Sequence, residues 1–122
     1  MAIQESGEMY LETILILSKK NNIVRATDIA EYMGFSKPAV SRALNKLRED
    51  SLVITDKNGF IALTEKGHVI ADKIYDRHIA LTEFLMQLGV SETVAEADAC
   101  RIEHIVSDET VAALKRHTKS NK

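Results

Sequence analysis

The chain has 122 residues, 45% hydrophobic and 28% charged, with one Pro, one Cys and no Trp. This is an ordinary soluble globular composition, rich in helix formers, for one domain or two small sub-domains sharing a core. A single Cys excludes an intramolecular disulfide, and a formal net charge of −2 means that any nucleic-acid-binding surface must be a local cluster of positive charge.

The N-terminal stretch MAIQESGEMY has no basic segment followed by an apolar run, so no signal peptide is expected. The longest apolar run, Ile14 to Leu17, is far too short to span a bilayer. A cytoplasmic protein is the resulting expectation.

From Glu8 to Lys19, Met9, Leu11, Ile14, Leu15 and Leu17 recur at helical spacing and predict a first helix. Thr27 is a candidate N-cap for a short second helix running to Met33, with Gly34 placed to stop it. Ser36 caps a third helix that carries Pro38 in its first turn and runs to about Asp50. The period then changes to two. Leu52–Thr55, Asp56–Gly59 and Phe60–Leu63 read as strand, turn, strand, with Asn58-Gly59 a hairpin signal because both residues tolerate positive φ. Thr64 caps a long fourth helix to about Leu88, closed by Gly89. Ser91 caps a fifth to about Ile105, and Ser107-Asp108-Glu109 opens a sixth that ends near His117, before a polar tail expected to fray. The fold class is therefore mainly α: a winged helix-turn-helix over residues 1–63, then an all-helical half over residues 64–122.

In a helix-turn-helix the second helix enters the major groove, N-terminal residues first. Here it offers Ser36, Lys37, Pro38, Ala39, Ser41 and Arg42, with Asn45 and Lys46 one turn on. Lys37, Arg42 and Lys46 suit phosphates or guanine edges, the serines suit phosphates, and Pro38 and Ala39 suit a thymine methyl. Val40, Leu44 and Leu47 fall on the opposite, apolar face. Lys57 and Asn58 at the wing tip could reach the DNA backbone or minor groove. A charged helix face alone is commonly just solvated; the helix, glycine, helix, wing order makes DNA the better reading.

The run Asp98-Ala99-Cys100-Arg101-Ile102-Glu103-His104 places Cys100, Glu103 and His104 at i, i+3 and i+4 on one helical face. Thiolate, carboxylate and imidazole together make a divalent-metal set of mixed softness. Helix one offers Met9 and Glu12, again i and i+3, and the fourth helix offers His78. Each alone has a blander reading: Met9 as core, Cys100 as a small buried hydrophobe, His78 as a hydrogen-bonded boundary residue, Glu12 as solvated. The Cys-x-x-Glu-His run outweighs these, because a carboxylate and an imidazole beside a thiol on a packing face are costly unless something is bound. A Cys100 nucleophile served by His104 would need an oxyanion site and a cleft, which nothing in the sequence suggests.

On Glu8-Met9-Tyr10-Leu11, Ser36 to Leu47, Leu63-Thr64-Glu65-Lys66-Gly67, Arg77-His78 and Ala99 to His104, the sequence resembles the diphtheria toxin repressor and manganese transport regulator family of metal-activated repressors. The resemblance implies a homodimer formed through the C-terminal helices, metal at the junction of the two halves, and a roughly palindromic DNA operator controlling metal-uptake genes. Met9, Cys100, Glu103 and His104 match the iron-responsive branch, while Glu12 and His78 match ligands of the manganese branch. The iron branch's ancillary site differs here: Thr82 stands where it has a Glu, and Glu96 where it has a His. The chain ends at Lys122, so the SH3-like domain of longer members is not expected.

A thioether and a thiolate favour Fe(II), with Mn(II) next; Co(II), Ni(II) or Zn(II) should substitute in vitro. The expected switch is metal binding that fixes the angle between the halves, setting two recognition helices about 34 Å apart on the duplex. The alternative is a metal-independent winged-helix module that binds DNA or protein.

Overall fold

The computed structural model describes residues 5–120. They form two compact units that divide between Asp72 and Lys73. The division falls inside a helix, eight residues beyond the Thr64 cap at which the sequence itself changes character. Among the described residues, no helix is long and apolar enough to cross a membrane.

The first unit contains α1 (Glu5–Asn21), α2 (Ala26–Met33), α3 (Lys37–Glu49), β1 (Val53–Thr55), β2 (Ile61–Leu63) and the start of α4 (Glu65–Gln87). Leu11, Ile14, Val24, Ile29, Val40, Leu44, Leu52 and Val53 are almost fully buried. The strands pair antiparallel, with Val53 opposite Leu63 and Thr55 opposite Ile61. Val24 adds to the sheet by accepting from the Ile61 amide at 2.7 Å.

Local chemistry explains the boundaries. The Ser36 hydroxyl accepts from Ala39 N at 3.3 Å, the expected cap of α3. The α2 cap falls on Arg25 rather than Thr27: the Arg25 amide donates to the Asp28 carboxylate at 2.9 Å, so the acidic residue in the first turn fixes the start. At the wing tip only Gly59 adopts positive φ (81°), whereas Asn58 does not. The Gly59 amide donates to Asp56 O at 3.0 Å, and the Asp56 carboxylate accepts from the Asn58 and Phe60 amides at 2.8 and 3.0 Å. The loop is thus a turn followed by one left-handed residue, and Asp56 holds it. The Thr64 hydroxyl accepts from Gly67 N at 3.0 Å, capping α4 as expected, and donates to Ser51 O at 2.7 Å, tying α4 to the end of α3.

The second unit holds the rest of α4, α5 (Glu92–Ile102) and α6 (Asp108–Ser120). Ile74 and Leu81 of α4, Ala95 and Ala99 of α5 and Val111 of α6 are buried. Two boundaries depart from the sequence reading. The fifth helix stops at Ile102, three residues early, with Glu103 as its C-cap. The sixth runs to Ser120 instead of fraying after His117: Thr118 is buried and its carbonyl accepts from Gln87 Nε2 at 3.4 Å.

Candidate metal centre and nucleic-acid interface

The centre of the second unit is Glu103. It has no exposed surface, which is costly for a carboxylate unless its charge is met. Its Oε2 lies 2.9 Å from His78 Nδ1, and its Oε1 lies 3.4 Å from His104 Nε2. Oε1 itself has no hydrogen-bond partner among the described residues. The His104 side chain is fully buried, while that of His78 is 23% exposed. The bond to Glu103 raises the His78 pKa above its ordinary value; burial opposes this, and the charges of Glu103 and Glu96 reinforce it.

A buried carboxylate oxygen with spare acceptor capacity beside an imidazole nitrogen fits a divalent cation. Cys100, half-buried one turn earlier on α5, adds a sulfur donor to the same stretch of chain. The fifth helix ends before Glu103, but Glu103 keeps helical dihedrals (φ −58°, ψ −25°), so the expected i, i+3 spacing from Cys100 survives to that residue. In the first unit, Glu12 on α1 is only 6% exposed and Met9, one turn before it, is half-buried. The second unit thus brings His78, Glu103 and His104 together.

Sequence reasoning assigned no role to Arg77. Its Nη1 donates to the main-chain carbonyls of Glu103 (3.0 Å) and Val106 (2.7 Å), and its Nη2 to Asp108 (2.5 Å). This fork suits the early end of α5, because the C-cap carbonyl of Glu103 that it captures would otherwise seek a helical amide. The only hint in the sequence is its place next to His78.

On α3, Val40, Leu44 and Leu47 are buried, and Ser36, Lys37, Pro38, Ser41, Arg42, Asn45 and Lys46 are exposed, with Ala39 between the two. Lys57 is exposed on the wing. Apart from the half-buried Ala39, each residue expected to face DNA therefore lies off the packing face. Arg48 was not expected to matter. It donates to the Asn45 side-chain oxygen and to Thr55 Oγ1 (2.7 Å), joining the recognition helix to β1.

Comparison with known proteins agrees with both units. Residues 2–60 match the family model of the iron dependent repressor N-terminal DNA binding domain. Residues 64–121 match that of the iron dependent repressor metal binding and dimerisation domain. An uncharacterized HTH-type transcriptional regulator of Methanocaldococcus jannaschii is 36% identical over 115 residues, 93% of this chain and 92% of that protein. The HTH-type transcriptional regulator MntR of Geobacillus kaustophilus is 35% identical over 102 residues, 84% of this chain and 72% of that protein. Among solved structures, the manganese regulator SloR superposes with a TM-score of 0.83 at 34% identity, over 98% of this chain. The chain spans about half of SloR, 55% of its length. With two matched domain models and relatives of this similarity over most of its length, the chain belongs to the diphtheria toxin repressor and manganese transport regulator family of metal-dependent transcriptional repressors, which are regulators and not enzymes.

Proposed function

We propose that this chain is a cytoplasmic, metal-dependent repressor that binds a palindromic DNA operator as a homodimer and controls metal-homeostasis genes. Residues 1–63 read DNA, and residues 64–122 bind metal and dimerise. The observation that carries the reading is the buried Glu103 carboxylate between His78 and His104. Outside a metal site such a group would be an expensive thing to bury.

In this reading His78, Cys100, Glu103 and His104 hold the ion, and Met9 and Glu12 complete the ligand set. The assignment of Met9 and Glu12 rests on their helical spacing and on the family resemblance. The bound cation supplies positive charge that neutralises Glu103 and links residues far apart in sequence. DNA is read by Ser36, Lys37, Pro38, Ala39, Ser41, Arg42, Asn45 and Lys46, with Lys57 at the wing. The side chains on α3 are already presented by a helix whose other face is packed.

Fe(II) is the favoured ion, because a thioether and a thiolate are soft donors. Mn(II) is the second reading, favoured by the carboxylates Glu12 and Glu103 and by the likeness to the manganese regulator SloR. Anaerobic fluorescence anisotropy with DNA from upstream of the protein's own gene tests both. Tight binding with Fe(II) or Mn(II) and its loss with chelator is the expected result, and the concentration dependence ranks the ions. Equal binding in all conditions would leave a metal-independent winged-helix module.

A further inference from the structure

Two consecutive residues of α4 grip one residue at the end of α5. His78 takes the Glu103 side chain, at 2.9 Å, while Arg77 takes the Glu103 main-chain carbonyl, at 3.0 Å. The Arg77 guanidinium reaches further, to Val106 O at 2.7 Å and to Asp108 Oδ1 at 2.5 Å. It is 12% exposed, whereas Asp108 is 73% exposed. Lys73 also reaches Asp108, at 3.2 Å, so the acid is held from two points of α4.

The turn that Arg77 clasps is short. The amides of Ile105 and Val106 both bond Ile102 O at 3.0 Å. The carbonyl of Glu103, the C-cap, is among the acceptors that the end of a helix leaves without helical partners, and that of Val106 lies in the loop beyond it. A cation at a helix C-terminus and an acid at a helix N-terminus both suit the helix dipoles, and Arg77 with Asp108 supplies the two at once. Arginine fits because one planar group delivers several donors in fixed directions; lysine cannot.

We propose that Arg77, anchored by Asp108, is a positioning residue for the metal centre, fixing the backbone at Glu103 so that the Glu103 carboxylate and the His104 imidazole present their donor atoms together. The proposal rests on the metal-site reading above. It makes a prediction opposite to simple electrostatics. A guanidinium near a cation site repels the cation, so on charge alone its removal would strengthen metal binding. As a positioning group, its removal weakens binding, in the range of about 10- to 100-fold seen when the groups that orient metal ligands are lost.

The test is a Co(II) titration of the full chain, followed by visible absorption, with thermal unfolding of each metal-free variant alongside. Arg77→Lys keeps the charge and loses the fork; Arg77→Met loses both. Both are expected to bind Co(II) about tenfold more weakly or worse. At saturation their Co(II) spectrum should differ from wild type, which mere loss of stability would not cause. Asp108→Asn, which leaves the carbonyl contacts, should weaken binding less, and it carries the test with Arg77→Lys should Arg77→Met fail to fold. Wild-type affinity and spectrum in Arg77→Lys, or tighter binding in Arg77→Met, would overturn the proposal. Glu103→Gln separates the two levels. If it loses Co(II) while Arg77→Lys does not, only the role of Arg77 falls. If wild type and Glu103→Gln bind Co(II) alike, the metal centre falls and Arg77 with it.

Discussion

Nδ1 of His78 stands 2.9 Å from Oε2 of Glu103, across 25 positions of sequence, and the carboxylate it meets is wholly buried. The ring therefore has one nitrogen committed to Glu103, which fixes its orientation and leaves Nε2 as the nitrogen open to another partner. If the pair belongs to a metal centre, Glu103→Gln keeps the shape and removes the charge. We expect its metal affinity to drop by more than the roughly 10- to 100-fold typical of outer-shell changes. Wild type should gain about 2.7 kcal/mol of stability at a metal concentration 100 times Kd, and the variant far less. Thermal unfolding with and without Mn(II) measures this, and an equal rise in both proteins would remove Glu103 from the site.

The same pair sets a pH dependence. The hydrogen bond to Glu103 raises the His78 pKa above 6.5. A raised pKa means that protonated His78 stabilises the metal-free fold below about 6.5, the unfolded value, and that this contribution is lost as pH rises through the folded value. A metal needs the neutral ring, so its affinity rises over that same interval. The gap in Tm between metal-loaded and metal-free protein should widen from pH 5.5 to 8. His78→Gln should flatten the metal-free part of that trend. A gap that is constant with pH in wild type would count against His78 as a ligand.

The recognition helix was legible because its signals are local. Ser36, Pro38 and the Val40, Leu44, Leu47 spacing lie within a dozen residues and act on the helix that contains them. The Cys100 to Glu103 spacing was legible for the same reason. The end of α5 was not, because it is fixed by Arg77, 26 positions away, whose fork captures the carbonyl of Glu103. The join between α3 and the wing was hidden too: Arg48 looks like any exposed base in the last turn until Thr55 is seen 2.7 Å from it. At α2, Thr27 is the better cap by residue type, yet Asp28 bonding back to Arg25 N moves the start by two residues. Side-chain capping from inside the helix outweighs the preference of one residue type.

Arg42 and Lys46 stand one turn apart on the exposed side of α3. If each meets a phosphate, replacing either by Ala should weaken DNA binding broadly across sequences and lower the log–log salt slope by about one. Anisotropy titrations in metal-loaded protein over a range of KCl concentrations provide the slope. Ser36→Ala should instead cost about 1 kcal/mol of stability through the lost cap, with the salt slope nearly unchanged. Slopes identical to wild type in both Arg42→Ala and Lys46→Ala would take these residues off the DNA-contacting surface.

Gly67, in the first turn of α4, sits where a Cβ would fall 2.0 Å from the Leu52 carbonyl oxygen. That oxygen cannot move aside easily. It accepts from Thr64 N at 3.0 Å, and the Leu52 amide donates to Leu47 O at 2.9 Å, so displacement would break the link between the end of α3 and the start of α4. Leu52 is also only 1% exposed. Two effects compete in Gly67→Ala. Alanine favours a helix interior over glycine by roughly 0.5–1 kcal/mol. Forcing a methyl group into a closed backbone contact costs about 1–3 kcal/mol, more where backbone has to shift. The clash should win, lowering Tm by roughly 4 °C for each kcal/mol lost. Thermal unfolding followed by circular dichroism decides the sign. A higher Tm in Gly67→Ala would mean that α4 and Leu52 do not approach this closely, and that the glycine serves the helix start in some other way.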